Sequence, residues 1–367
     1  MNRSIYVVVL VLMALSTIRL EETNYAIYLA PLILPIFWML GDDVRFKLSP
    51  SVLPFLFLVC VGAILLDNYQ FNTTKKLYFI FVYTSIFLLF DFSKIHIDTR
   101  LLALYFIALF LVDISYGLAS GTSSISFDIN ESKSTFESTM AFPLGMLMLF
   151  FFLRKDYLWF TILLVLSFFA MKRIVLLSTF LIIVIDQLPE KHKRLLVNPY
   201  LITVVATIGV LLCIEFSRGS MDPLIQSLTG LPPNHFSQGR QELWSNLLNT
   251  VHFDHFNFLF LGAGFGASAN AMELFYSSTK MPVHNDILSL VVDIGYLLTI
   301  VFIFLLNKLE SMQERLLALF ISLIFFTDNV LIYQHLMIPY LLLQSQLRRS
   351  DLLTQYVKTH VVMPKAQ

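Results

Sequence analysis

The chain has 367 residues, of which 57% are hydrophobic and only 14% charged, with 35 Phe and a formal net charge of zero. A soluble domain is about half apolar and a quarter charged, so this balance, with its mean hydropathy of +0.74, predicts an all-α integral membrane protein and gives no basis for nucleic-acid binding. Cys60 and Cys213 each lie inside an apolar run, where a thiol acts as a small hydrophobe and offers neither a disulfide framework nor zinc spacing.

A hydrocarbon core about 30 Å thick takes roughly 20 apolar residues in a helix. That ruler predicts about twelve crossings, at 4–20, 25–41, 50–67, 77–92, 101–119, 139–153, 157–171, 173–188, 200–216, 286–306, 314–328 and 329–346. Residues 4–18 resemble a signal peptide in length, but the next apolar run starts near Tyr25, so they are read as the first crossing. The pairs meeting at Lys172-Arg173 and at Asp328-Asn329 each admit one long broken element instead of two helices. Lys and Arg concentrate on the side of the N-terminus, which predicts both termini in the cytoplasm and leaves no cation within a crossing.

The expected organisation is nine transmembrane helices in 1–216, one large extracytoplasmic loop in 217–285, three more helices in 286–346 and a cytoplasmic tail in 347–367. Loops beyond about 15 residues are uncommon unless functional or disordered. This one carries Trp244, Phe256, Phe258, Phe260 and Phe265, enough apolar surface to pack. Within it, 238–251 presents Leu243, Leu247 and Leu248 as a short amphipathic helix expected to lie against the membrane face.

His284, followed by Asn285 and Asp286 at the mouth of an apolar run, is the first candidate for chemistry. A neutral imidazole can take a proton from a sugar hydroxyl, Pro282 stiffens its approach, and Asn285 can orient the ring or a substrate hydroxyl. The plainer alternative is an interfacial histidine beside an Asn285 or Asp286 helix cap. Arg240, freed by Gly239 beside it, can offer its planar fork to a phosphate, or can be an exposed cation paired with Glu242 or Glu273. Lys172 and Arg173 interrupt an apolar run where ionisable groups are costly; they meet an anionic lipid-linked substrate, or they snorkel at a tight turn. Gly262, Gly264 and Gly266 can form an anion nest or plain loop architecture, and the latter is preferred. His252 and His255, three apart with Asp254 between them, could ligate zinc, but no third ligand is spaced to suit, so no metal is expected. Asp328 is the acid expected to join a polar site, whereas Asp113, Asp186 and Asp293 are read as marking helix ends.

Taken in order, these motifs resemble the O-antigen polymerase (Wzy) family and the related O-antigen ligases. The resemblance lies in Lys172-Arg173 between two membrane helices, Gly239-Arg240 with Trp244 after it, the Gly262, Gly264, Gly266 run, and His284-Asn285 opening a helix that continues to Gly295. It covers roughly 160–330 in motif and the whole chain in architecture. It implies a metal- and cofactor-independent glycosyltransferase in the bacterial inner membrane, acting on undecaprenyl-diphosphate-linked glycans at the periplasmic face. Arg173 and Arg240, with Lys172, are then expected to bind the donor diphosphate, and His284 to deprotonate the acceptor hydroxyl. Asn285, Gly239 and Asp328 are expected to support them. The flippase and chain-length regulator of the same pathway are the implied partners. A ligase that transfers glycan to lipid A-core, or a polysaccharide transporter, are the alternatives. The Lys before Arg173 and the short loop between the Gly run and His284 depart from the family pattern and leave the register of the diphosphate contacts open.

Overall fold

A computed structural model describes residues 48–66, 71–90, 92–94, 97–119, 127–128, 133–134, 138–170, 172–251, 256–275 and 283–360. The expected crossings at 4–20 and 25–41, the cluster 252–255 and Pro282 lie outside them. The described chain is helical apart from one antiparallel pair of two-residue strands, β1 (Phe127–Asp128) and β2 (Lys133–Ser134).

In chain order the helices are α1 (Leu53–Ile64), α2 (Phe71–Leu89), α3 (Thr99–Ala119), α4 (Ala141–Leu153), α5 (Tyr157–Phe169), α6 (Arg173–Gln187), α7 (Glu190–Leu196) and α8 (Pro199–Ser217). They continue with α9 (Asp222–Thr229), α10 (Pro233–Phe236), α11 (Arg240–Thr250), α12 (Ala267–Phe275), α13 (Asp286–Ile294), α14 (Tyr296–Asn307), α15 (Met312–Phe325) and α16 (Gln334–His360). The pairs left open at Lys172-Arg173 and Asp328-Asn329 are both separate helices, α5 and α6, and α15 and α16. α16 continues to His360, well past the expected end of its crossing at 346.

Among the described residues, α8 is the one helix long and apolar enough to cross a membrane; α1, α4, α5 and α14 are apolar but shorter. The shortfall has a clear cause at 286–306, where the expected single crossing is split at Gly295 into α13 and α14. A second correction concerns cations. α2 begins at Phe71, six residues before the expected start, and so draws Lys76 into a helix and buries it. The count of cations within crossings assumed Lys76 stayed in a loop, because an apolar run read by hydropathy stops where charge begins.

The core forms around two helices buried almost throughout. In α4 every residue but Phe152 is buried, and in α13 all are; α4 is hydrophobic all round and so belongs in an interior, whereas α13 also buries Asp286, Ser289 and Asp293. Phe55 of α1 meets three rings edge-on, Tyr83 of α2 at 5.3 Å, Phe302 of α14 at 6.1 Å and Tyr340 of α16 at 6.3 Å, a geometry favoured by ring quadrupoles. α5, α6 and α8 instead turn apolar faces outward, with Leu158, Phe168, Leu177, Phe180, Val205 and Ile208 among their exposed side chains.

The glycine run is not a simple surface loop. A π-helical turn at Asn257–Leu261 ends at Gly262, whose φ of 68° and ψ of −160° suit only glycine. Gly262 then crosses the α13–α14 break backbone to backbone: a Cβ there would stand 2.5 Å from the Asp293 carbonyl carbon and 2.6 Å from the Gly295 nitrogen. Gly295 itself, at φ 83° and ψ 164°, would put a Cβ 2.8 Å from Leu261 N. The flanking amides are satisfied on two sides, Ala263 N–H donating to Val292 O of α13 at 2.7 Å and Phe265 N–H to Leu65 O at the end of α1 at 3.0 Å. Gly264 and Gly266 also have positive φ.

Candidate functional site

His284 lies just before α13 and is held in a conformation a non-glycine residue rarely adopts, with φ at 53°. Such a backbone persists only where its surroundings enforce it. Here the enforcement is local: the His284 N–H donates to Asn329 Oδ1 in a short hydrogen bond. The imidazole Nδ1 then faces Asp328 Oδ1 at 3.4 Å, with the ring about one-third exposed and the carboxylate nearly buried, at 34% and 8%. One edge of the ring is therefore oriented by a carboxylate while the rest stays accessible.

The 328–331 turn is a preorganised frame. Asp328 Oδ1 also accepts the Asn329 N–H at 2.8 Å, and Asn329 Nδ2 donates to Asp286 Oδ1 at 3.5 Å. Asp286 Oδ2 accepts the Leu331 N–H at 2.7 Å, and its own N–H donates to Asp328 O at 3.2 Å. Tyr83 OH donates to Leu331 O at 3.3 Å. The first residue of α13 and the turn after α15 thus hold each other, which fixes where His284 stands relative to Asp328.

Asn285 caps α13, as the plainer alternative for it held. Its carboxamide oxygen accepts the Leu288 N–H at 2.8 Å as the N-cap of α13, and its Nδ2 points toward Cys213 Sγ at 3.7 Å. The contacts to His284 itself come from Asn329 and Asp328.

Of the expected cations, Lys172 lies within electrostatic range of the Asp328 carboxylate. Arg173, the first residue of α6, is exposed and stands one position further on. Arg240 opens α11 after Gln238 and Gly239, both in left-handed conformations, with φ of 55° and 83°. α11 exists as the sequence predicts and buries Leu243, Trp244 and Leu247, an inner face that packs on α8 and α12. Trp244 Nε1–H donates to Val283 O at 2.9 Å, which ties α11 to the residue immediately before His284. Arg240 lies one turn before Trp244 on the same helix face. Glu242, its suggested partner, is instead bonded to Asn234.

The polar groups that sequence reasoning passed over lie deeper. Asp293 is not a mere helix end: it pairs with Lys76 Nζ at 2.8 Å, with both side chains buried. Tyr333, whose hydroxyl lies within electrostatic range of Asp328 and Asp286, stacks on His335 at 5.2 Å. The signal for Asp293 was present, as Asp286, Ser289 and Asp293 recur at three- and four-residue spacing in an otherwise apolar stretch and so share one helix face. Asp186 and Asp113 are also partnered, Asp186 with Lys193 at 2.7 Å and Asp113 with Ser138 Oγ.

The partly exposed imidazole can take a proton from a hydroxyl, and Asp328 can stabilise the resulting imidazolium. No family model, curated protein or solved structure matches this chain.

Proposed function

We propose that this protein is an integral membrane glycosyltransferase that polymerises undecaprenyl-diphosphate-linked oligosaccharide repeat units into O-antigen or a related surface polysaccharide. The observation that carries the proposal is His284, held by Asn329 and faced by Asp328, with Lys172 in electrostatic range of Asp328 and Trp244 of α11 bonded to the preceding Val283. Without a matching relative, the reading rests on that constellation and on the resemblance in motif order.

In this reading about twelve helices cross the bacterial inner membrane, both termini lie in the cytoplasm, and the site opens at the periplasmic face. The exposed Leu, Phe, Val and Ile on α5, α6 and α8 support a lipid-facing belt, because soluble surfaces rarely expose contiguous apolar area. Helices shorter than the bilayer are accommodated by local thinning and snorkelling.

The acceptor hydroxyl oxygen attacks the anomeric carbon of the donor sugar, and the bond from that carbon to the undecaprenyl diphosphate oxygen breaks. The diphosphate leaves with the bonding electrons while Nε2 of His284 takes the hydroxyl proton. Asp328 stabilises the imidazolium through Nδ1, as a carboxylate does in other histidine-base sites. Lys172, Arg173 and Arg240 supply positive charge where negative charge develops on the leaving diphosphate, usually the largest catalytic term.

The test is chain extension by purified protein in nanodiscs supplied with lipid-linked repeat units. His284→Ala should lose about 100-fold or more in rate; extension at the wild-type rate by that variant refutes the assignment. A deletion strain separates the alternatives. Lipopolysaccharide carrying a single repeat unit marks a polymerase, bare core marks a ligase, and repeat units trapped on the cytoplasmic face mark a transporter.

A further inference from the structure

We infer that Lys76 and Asp293 form a buried clamp that positions His284 from the far end of α13; the inference rests on the reading of His284 as the base. α13 is nine residues long and stops at Gly295, and a helix that short is not stable alone. Its placement, and with it that of His284, comes from whatever grips its sides and ends.

Its polar face is gripped along its whole length. At the N-terminal end Asp286 holds the Leu331 N–H and Asn329. About 10 Å further along the axis, Lys76 Nζ of α2 donates to Asp293 Oδ2 and to Ser289 Oγ, both at 2.8 Å. The Ser268 N–H of α12 donates to Asp293 Oδ1 at 2.8 Å, and Ser268 Oγ meets Ser289 Oγ at 2.6 Å. The Lys76 ammonium also sits 5.5 Å from the centre of the Phe265 ring. One cation thus joins α2, α12 and α13, and its field reaches Asp286 as well as Asp293.

A charge buried to this degree is costly unless it is paired and fully hydrogen-bonded. These groups are fully engaged, so rotation or sliding of α13 breaks several contacts together. The same rotation carries His284 away from Asp328, which belongs to a different element, the turn after α15. Lys76 and Asp293 touch no reacting atom in this scheme; they are positioning residues.

The experiment compares wild-type protein in nanodiscs with Ser289→Ala and with the double variant Lys76→Met plus Asp293→Leu. The double variant removes both charges together and leaves neither buried alone. Two quantities are read at matched folded fraction: kcat and KM for chain extension, and the rate at which diethyl pyrocarbonate modifies His284, followed by mass spectrometry. The clamp predicts a kcat lowered by about 100-fold in the double variant with KM little changed, and modification of His284 several-fold faster. Ser289→Ala shifts both in the same direction by less, and it decides the matter should the double variant fail to fold. Wild-type kcat and wild-type His284 reactivity in the variants overturn the clamp. Wild-type protein inactive on lipid-linked repeats refutes the functional reading alone, and the diethyl pyrocarbonate rates then decide whether the clamp positions His284.

Discussion

Replacing Gly262 by Ala tests the crossing on which the placement of α13 depends. The added Cβ would stand 2.5 Å from the Asp293 carbonyl carbon and 2.6 Å from the nitrogens of Ile294 and Gly295. These are backbone atoms, so no rotamer change relieves the overlap and the α13–α14 junction must move. The conformation itself, φ 68° with ψ −160°, costs a non-glycine residue about 1–3 kcal/mol, and forced repacking adds about 1–3 kcal/mol. A loss of about 2–6 kcal/mol is expected. Gly230 supplies the control. It has a similar φ of 70° but nothing within 4 Å of its would-be Cβ, so Gly230→Ala should lose only the left-handed penalty, about 1–2 kcal/mol. Denaturant unfolding of both variants in the same bilayer mimic measures the difference. Equal losses from the two substitutions refute the close crossing, whatever their size.

Three further substitutions probe the site and its frame. Asp328→Asn removes the carboxylate that faces His284 Nδ1 and should lower kcat for chain extension by about 100-fold with little change in KM, measured by steady-state kinetics. Trp244→Phe deletes the indole donor to Val283 O while keeping the edge contact with Phe216 at 6.0 Å. It should cost about 1 kcal/mol in stability and raise KM for the lipid-linked donor as Arg240 loses its anchor, read from unfolding and substrate titration together. Arg348→Met strands Glu314, which is nearly buried and bound to Arg348 at 2.8 Å, and should cost about 3–5 kcal/mol; adding Glu314→Leu should return most of that, as a double-mutant cycle will show.

How much of this was legible in the chain differs from residue to residue. The helical class followed from apolar runs bounded by charge, and α3, α4, α6 and α8 begin and end within a few residues of where hydropathy puts them. His284, Asp328 and Lys172 were visible because a polar residue at the edge of a greasy run stands out; the structure brings His284 and Asp328 together and puts Lys172 within electrostatic range of Asp328. Asn285 was readable both as a cap and as an orienting amide, which look identical in one dimension, and the structure shows the cap. Asn329, which holds the His284 N–H, stands 45 residues away from His284 in the chain.

The sequence by itself determined which segments are helical and which polar residues are candidates for chemistry, because hydrophobic patterning acts along the chain and is read at short range. Tertiary structure alone decided the break at Gly295, the passage of Gly262 across it, and the burial of Lys76 against Asp293. Each of these depends on segments distant in sequence: a glycine needed where another backbone passes, and a lysine made tolerable by an aspartate 217 residues away. Hydropathy assigns every charge its cost in isolation, whereas a folded interior offsets that cost by pairing.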